Sequence, residues 1–192
     1  MKRILLALAV IAASSVALAA QPKSIGLRTG AMGFDASYQH TTLKNQFIEG
    51  NIGLDFGYNA KGQPGIKATA IYNFVWARPA WTQKGSWELY AGPGLSLGYV
   101  YDIVPYKVGN DIVGIYDNGF MLSFAAQVGI GYRFWFPLEL SLDIRPYFGM
   151  HVNDGKIREK NSDVIIYHDS KVGFYDNGLL GFAPMLSVRY RF

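Results

Sequence analysis

The sequence contains no cysteine, which excludes a disulfide framework, a thiolate metal site and a cysteine nucleophile. Charge is scarce too. Only 17% of the 192 residues are Asp, Glu, Lys or Arg, and the net charge of +4 falls to +2 without Lys2 and Arg3. A nucleic-acid binder would carry a basic stripe, and the chain has none. After the first twenty residues, no apolar run approaches the length of a transmembrane helix. Glycine and aromatics, in contrast, are plentiful, at 22 residues and 15%. Glycine weakens helices and aromatic rings suit pleated surfaces, so the composition predicts an all-β chain. The length fits one domain.

Residues 1–19 read as a cleaved signal peptide. Lys2 and Arg3 form a positive start, Ile4 to Ala13 is apolar, and Ala17-Leu18-Ala19 supplies small residues for cleavage before Ala20. The alternative, a retained anchor, requires a span longer than this run. No cysteine follows the signal, so lipoprotein anchoring is excluded. Residues 20–192 form the mature domain. If that domain enters a membrane without a helix, a closed barrel is the remaining way to satisfy its backbone polar groups.

A period of two dominates that domain. Leu138, Leu140, Leu142, Ile144, Pro146, Phe148 and Met150 fall on one face; Glu139, Ser141, Asp143, Arg145, Tyr147, Gly149 and His151 fall on the other. From Leu180 to Phe192 the alternation repeats, with Phe182, Pro184, Leu186, Val188 and Tyr190 opposed by Gly181, Ala183, Met185, Ser187, Arg189 and Arg191. The template also fits Phe120–Phe136, Trp87–Tyr101, Ile66–Trp76, Phe47–Tyr58, Phe34–Thr42 and Ile25–Ala31, making eight strands. Connections alternate in length. Phe136-Pro137 and Leu43 to Gln46 are tight and residues 77–86 intermediate, whereas 102–119 and 153–178 are long and polar and 59–65 modest. Residues 102–119 mix Tyr, Ile and Val with turn residues, so they read either as a loop or as a hairpin continuing the strands above the membrane. The four Trp residues (Trp76, Trp81, Trp87, Trp135) gather near the short turns, and Tyr58, Tyr99, Tyr101 and Phe120 near the long loops. Short turns on one side, long loops on the other and two aromatic girdles predict an eight-stranded antiparallel transmembrane up-and-down β-barrel in a bacterial outer membrane. A soluble barrel would place its apolar residues inside; here the second face is sparse, glycine-rich and charged.

The ending Ser187-Val188-Arg189-Tyr190-Arg191-Phe192 resembles the terminal signal of outer-membrane barrels, an amphipathic last strand closing on a C-terminal Phe. Ile25-Gly26-Leu27-Arg28, Ser37-Tyr38-Gln39-His40, Trp87-Glu88-Leu89-Tyr90-Ala91-Gly92-Pro93-Gly94 and Leu140-Ser141-Leu142-Asp143-Ile144-Arg145-Pro146 are similar to segments of a broad family of small outer-membrane β-barrel proteins. The resemblance covers most of the mature chain. It implies a location, a fold, and recognition of Tyr190 and Phe192 by the barrel assembly machinery of the Gram-negative cell envelope. It implies no reaction.

The inward face carries the candidate functional residues. Arg28, Glu49, Asp55, Glu88, Arg133, Glu139, Asp143, Arg145, Arg189 and Arg191 are expected to form a charge network, with Asp35, Lys67 and His151 also inward. Side chains fill the interior of an eight-stranded barrel, and isolated buried charge is very costly, so these groups must pair. The expected pairs join Glu139 or Glu88 to Arg133 or Arg191, and Asp143 to Arg145 or Arg189.

Three further features stand out. Val113-Gly114-Ile115-Tyr116-Asp117-Asn118-Gly119 and Val172-Gly173-Phe174-Tyr175-Asp176-Asn177-Gly178 are near repeats. Asp-Asn-Gly is turn chemistry, so both read as turns re-entering the barrel; a Ca²⁺ or sugar site is the other reading, but the full calcium-loop spacing is missing. Pro93, Pro146 and Pro184 interrupt strands at outward positions, through local bulges or, for the last two, through a weakened seam that admits lipid. His168-Asp169-Ser170 has the His-x-Ser spacing of lipid A-modifying hydrolases, yet it lies in a loop with no carboxylate suitably spaced beyond it. His40 is expected to face lipid near the short turns. No catalytic, cofactor or metal residues are assigned.

The expectation is therefore a non-enzymatic outer-membrane barrel with a side-chain-filled lumen and a structural or surface-binding role. The alternatives are a narrow, porin-like channel for small solutes and a lipid A-modifying hydrolase. Expected partners are outer-membrane lipid, including lipopolysaccharide, the assembly machinery, and an extracellular ligand met by residues 102–119 and 153–178.

Overall fold

A computed structural model describes residues 23–31, 33–56, 64–108, 111–153, 156–158, 165–167 and 172–192, with 103–108, 111–117, 156–158 and 165–167 described by their backbone. The expected signal, residues 1–19, lies outside the described residues, as do His168, Asp169 and Ser170.

The strands are β1 (Lys23–Gly30), β2 (Gly33–Leu43), β3 (Gln46–Asp55), β4 (Gly65–Ala77), β5 (Ser86–Val108), β6 (Asp111–Arg133), β7 (Leu138–Ile144), β8 (Tyr147–Asn153), β9 (Lys156–Arg158), β10 (Ile165–Tyr167), β11 (Val172–Asp176) and β12 (Met185–Arg191). Each of β1 to β6 pairs antiparallel with the next in sequence, except that β6 continues to both β7 and β8. β12 pairs with β7 on one side and β1 on the other, which closes a barrel of eight wall positions. β7 and β8 share the seventh position in series, and β11 and β12 share the eighth. The ring closes beside Phe192, whose backbone exchanges hydrogen bonds with Lys23 (2.9 and 3.1 Å).

Alternation in the sequence becomes alternation across the wall. In β6, Met121, Ser123, Ala125 and Gln127 are buried, while Leu122, Phe124, Ala126 and Val128 are exposed. The polarity is inverted relative to a water-soluble core. Phe124 is 72% exposed on the outside and Gln127 is 1% exposed on the inside. Interior apolar residues form two clusters. Ile71, Val100, Met121, Ala125, Tyr147, Tyr175 and Met185 make one; Phe47, Val75 and Tyr90 make the other.

The first hairpin turns at Ala31 to Gly33. Gly33 has φ +142°, and a Cβ there would lie 1.9 Å from the Leu54 carbonyl oxygen, so this position requires glycine. At the short-turn end the aromatic residues interlock. Trp81 meets Trp87 (5.4 Å between centroids), Trp87 meets Tyr132 (4.7 Å), Tyr132 meets Phe134 (4.6 Å), and Phe134 meets Phe136 (4.9 Å).

Several expectations need correction. Of the two readings of residues 102–119, the hairpin that continues the strands holds and the loop does not, because β5 and β6 pair residue by residue from Ser86↔Arg133 to Val108↔Asp111. Beyond Val100 and Gly119 they project as a two-stranded ribbon roughly 25 Å long at the usual rise per residue. The first copy of the repeat therefore lies within β6. Gly119 is needed for close approach rather than for a turn, since a Cβ would lie 2.4 Å from the Val152 carbonyl oxygen. In the second copy, Val172–Asp176 is strand and the chain leaves the ladder at Asn177, with Gly178 at φ +46°. Leu180 to Pro184 does not begin the last strand. Gly178–Phe182 is a 3-10 turn, and Pro184, which has no N–H to donate, precedes Met185. Pro146 likewise divides the seventh wall strand, whereas Pro93 stays within β5, where the ladder to β4 skips from Ile71↔Gly94 to Phe74↔Ala91.

Candidate functional site in the barrel interior

Inward-facing polar residues recur at every second position because the wall strands are pleated, and the barrel stacks them into layers. Glu49 on β3 sits at the centre, fully buried. Its Oε1 meets Arg145 Nη2 (2.7 Å) and accepts from Asn51 Nδ2 (3.1 Å), and its Oε2 meets Arg189 Nη2 (3.2 Å) and accepts from Gln39 Nε2 (3.0 Å). Gln127 Nε2 also donates to Oε2 (3.5 Å), so two guanidinium groups and three carboxamides surround one carboxylate. Such charge-assisted contacts offset the large cost of removing it from water.

Beside this centre, Arg28 on β1 donates from Nε to Asp143 Oδ1 (3.2 Å) and from Nη1 to Asp35 Oδ2 (3.1 Å). Towards the long-loop end, Lys67 Nζ meets Asp55 Oδ2 (2.6 Å) and stands 5.1 Å from the centre of the Tyr147 ring. His151 Nε2 donates to the Val100 carbonyl (3.1 Å) there. Towards the short-turn end, Arg133 joins Glu88 (2.8 Å) and Glu139 (3.2 Å), and Arg78 reaches Glu88 (2.9 Å). Arg189 links the layers, donating to Ser37 (3.0 Å), Ser141 (2.6 Å) and Glu139 (3.5 Å).

The expected pairing differs from this in two places. Asp143 pairs with Arg28, not with Arg145 or Arg189. Arg28 lies opposite Ser187, and Ser187 opposite Ser141, so small side chains on the intervening strand let Arg28 reach diagonally to β7. Arg145 and Arg189 turn instead across the lumen to Glu49. Arg191 has no ion pair among the described residues, and its Nη2 donates to the Phe134 carbonyl (3.0 Å). His40 keeps its outward register position but is only 8% exposed rather than open to lipid.

Four contributors escaped the sequence reading. Gln39, Asn51 and Gln127 share the inward parity of the charges and were legible on that ground. Arg78 lies in the connection after β4, where parity says nothing. Asn177 is a fifth, of a different kind. It is buried, its Oδ1 accepts from the Tyr147 N–H (2.9 Å), and its Nδ2 donates to the Arg145 carbonyl (3.1 Å). Its carboxamide stands in for a peptide group where the ladder is broken.

Among the described residues, no group of three or more His, Asp or Glu side chains is placed to hold a metal ion. What the arrangement does chemically is neutralise itself. Each of the buried carboxylates of Asp35, Glu49, Asp55, Glu88, Glu139 and Asp143 has a cationic partner. No protein-family model matches the chain, and no curated protein or solved structure matches it either.

Proposed function

We propose that this chain is a non-enzymatic integral protein of a bacterial outer membrane, with a lumen closed by paired charges and a structural or surface-binding role carried by its long-loop end. The observation that carries this reading is the outer face. A buried interior suits a soluble barrel equally well, but a continuous apolar exterior does not. Ile25, Leu27, Ile52, Ile66, Leu95, Leu97, Phe124, Val128, Phe148 and Met150 are each at least half exposed. A soluble monomer rarely exposes apolar patches beyond a few hundred Å². In lipid the same belt is solvated, and a closed barrel leaves no unpaired strand edge in the hydrocarbon.

The rings linked from Trp81 to Phe136 support a membrane–water boundary at the short-turn end, where amphipathic aromatics are favoured. Lys84, 5.6 Å from the Trp135 ring centre, supplies a cation at the same level. The ribbon of β5 and β6 supports a surface role, because it carries the chain well beyond its neighbours at the opposite end. Recognition commonly sits on loops held by a rigid scaffold.

The test is fractionation of Gram-negative cells expressing the full chain. Recovery in the outer-membrane fraction, resistant to carbonate extraction and migrating faster in gels before boiling than after, is expected. Recovery as soluble periplasmic protein would overturn the reading.

A narrow passage for small solutes is a second reading, favoured by one observation. Arg145 Nε and Nη1, Asn73 Oδ1 and Ser187 Oγ are buried without a hydrogen-bond partner among the described residues. Buried polar atoms of this kind are commonly satisfied by internal water. Conductance separates the two readings.

A further inference from the structure

Among the described residues, the widest break in the wall ladder lies between its seventh and eighth strands. Between Asp176↔Phe148 and Asp143↔Met185, the seventh wall strand supplies four residues (144–147) and the eighth supplies eight (177–184). The extra length forms the 3-10 turn Gly178–Phe182. The hydrogen bonds that tie this strap to its neighbour include three. Two are those of the Asn177 carboxamide, and the third runs from the Arg145 N–H to the Gly181 carbonyl (3.1 Å).

The strap has an apolar outside and an apolar inside. Leu179 is 88% exposed and Phe182 is 56% exposed on its outer surface. Leu180 packs inward against the cluster of Ile71, Val100, Met121, Ala125, Tyr147, Tyr175 and Met185. Gly181 is buried beneath Asn177, and a Cβ there would lie 2.4 Å from Asn177 Oδ1. The rims of the gap carry Pro146 and Pro184. Neither has an N–H, so opening the gap leaves fewer donors stranded in hydrocarbon than opening an ordinary ladder would.

We propose that residues 177–184 are a side door in the barrel wall, and that it admits one hydrocarbon chain of a membrane lipid, which takes the place of Leu180 against the interior cluster. The chemistry selects the occupant. The residue now seated there is aliphatic, the outer lip is Leu and Phe, and the compartment behind it is built largely of Ile, Val, Met and Tyr. Behind the lip a polar solute would find the carboxylates of Glu49, Asp55 and Asp143 already paired, and the charge at the lip itself, Asp176, is engaged by the Gly178 N–H (2.8 Å). Asn177 is the latch, since its two hydrogen bonds are the side-chain bonds that cross the gap.

The inference rests on the membrane reading, and one experiment separates the two. Deuterated protein carrying protonated ¹³C-methyl methionine is placed in nanodiscs of dimyristoyl phosphatidylcholine, and nuclear Overhauser contacts from lipid chain methylenes to the methionine methyls are measured. Met150 is 52% exposed on the outside and Met121 is fully buried inside. The Met150 contact is expected in every variant. A weak Met121 contact is expected in the wild type, and one about tenfold stronger in Asn177→Ala, the population change that loss of one or two modest hydrogen bonds implies. Leu180→Ala, which keeps the latch and vacates the seat, is also expected to strengthen it. Met150 contact with no Met121 contact in the wild type and both variants would overturn the side door alone. Absence of the Met150 contact would overturn the membrane reading beneath it.

Discussion

Replacing Glu49 by Gln and replacing Arg145 by Met break the same ion pair, but the structure assigns them unequal costs. Glu49→Gln leaves Arg145 without its ion-pair partner and leaves Arg189, which keeps its bonds to Ser37 and Ser141, with Glu139 at 3.5 Å as its remaining counter-charge, both guanidinium groups being almost wholly buried. Leaving a buried charge without its counter-charge costs about 3–5 kcal/mol. Arg145→Met leaves Glu49 with Arg189, Gln39 and Asn51, and it also removes Nε and Nη1, which have no partner among the described residues. Its cost is expected near ~1 kcal/mol, the scale of one net hydrogen bond. Reversible urea unfolding in lipid vesicles, followed by tryptophan fluorescence, measures both. The double variant Glu49→Gln with Arg145→Met should recover part of the loss, because one stranded cation is gone. If Arg145→Met proved as costly as Glu49→Gln, the assignment of Glu49 as the shared hub would be wrong.

Gly33→Ala places a Cβ 1.9 Å from the Leu54 carbonyl oxygen at a φ of +142°, so a loss of about 1–3 kcal/mol is expected in the same unfolding assay; an unchanged midpoint would refute the strained-turn argument. Phe192→Ala should leave stability within about 0.5 kcal/mol, because the ring is 63% exposed and the bonds to Lys23 are backbone bonds. In cells the same variant should accumulate unassembled, read as loss of the fast-migrating unboiled band. Excising residues 156–167 removes β9 and β10 and spares the wall residues Tyr147–Asn153 and Val172–Asp176. The barrel should still fold by gel migration, while binding to intact target surfaces falls.

The barrel was legible in the sequence because its signal is local. Side chains alternate across a strand, so Leu138 to Met150 declares its two faces without reference to any other segment. The break at Pro146, and Pro184 opposite it, were also visible. The start of the last strand was not: the sequence alternates from Leu180 through Pro184, but Gly178 at a positive φ and the missing N–H of Pro184 override it. The ribbon at 102–119 was legible as one of two readings, and the turn signal within it obscured the choice. Asp117-Asn118-Gly119 looks like a turn, but pairing with Val100 to Asp102 leaves its backbone groups nothing to gain by turning.

The interior network was legible as a list and not as a set of pairs. Parity places Arg28, Glu49, Asp143, Arg145 and Arg189 inside. Which of them meet depends on strand tilt and stagger around the closed ring, which no single segment encodes. The Arg145–Glu49 contact crosses the lumen between residues 96 positions apart, and Arg28–Asp143 depends on a serine between them. Asn177 was hidden in a further way. Its sequence context is a turn signal, and its use as a substitute peptide group exists only once the ladder beside Arg145 has broken.

A closed barrel in lipid whose lumen is filled by paired charges offers no path for ions. Single-channel recording of the refolded protein in a planar bilayer tests it most directly, with gel migration before and after boiling establishing that the barrel is folded. The wild-type barrel should leave the bilayer silent at ordinary salt, and steps should appear in Glu49→Gln as the central layer loosens. Reproducible conductance steps from the wild-type barrel would contradict the closed lumen.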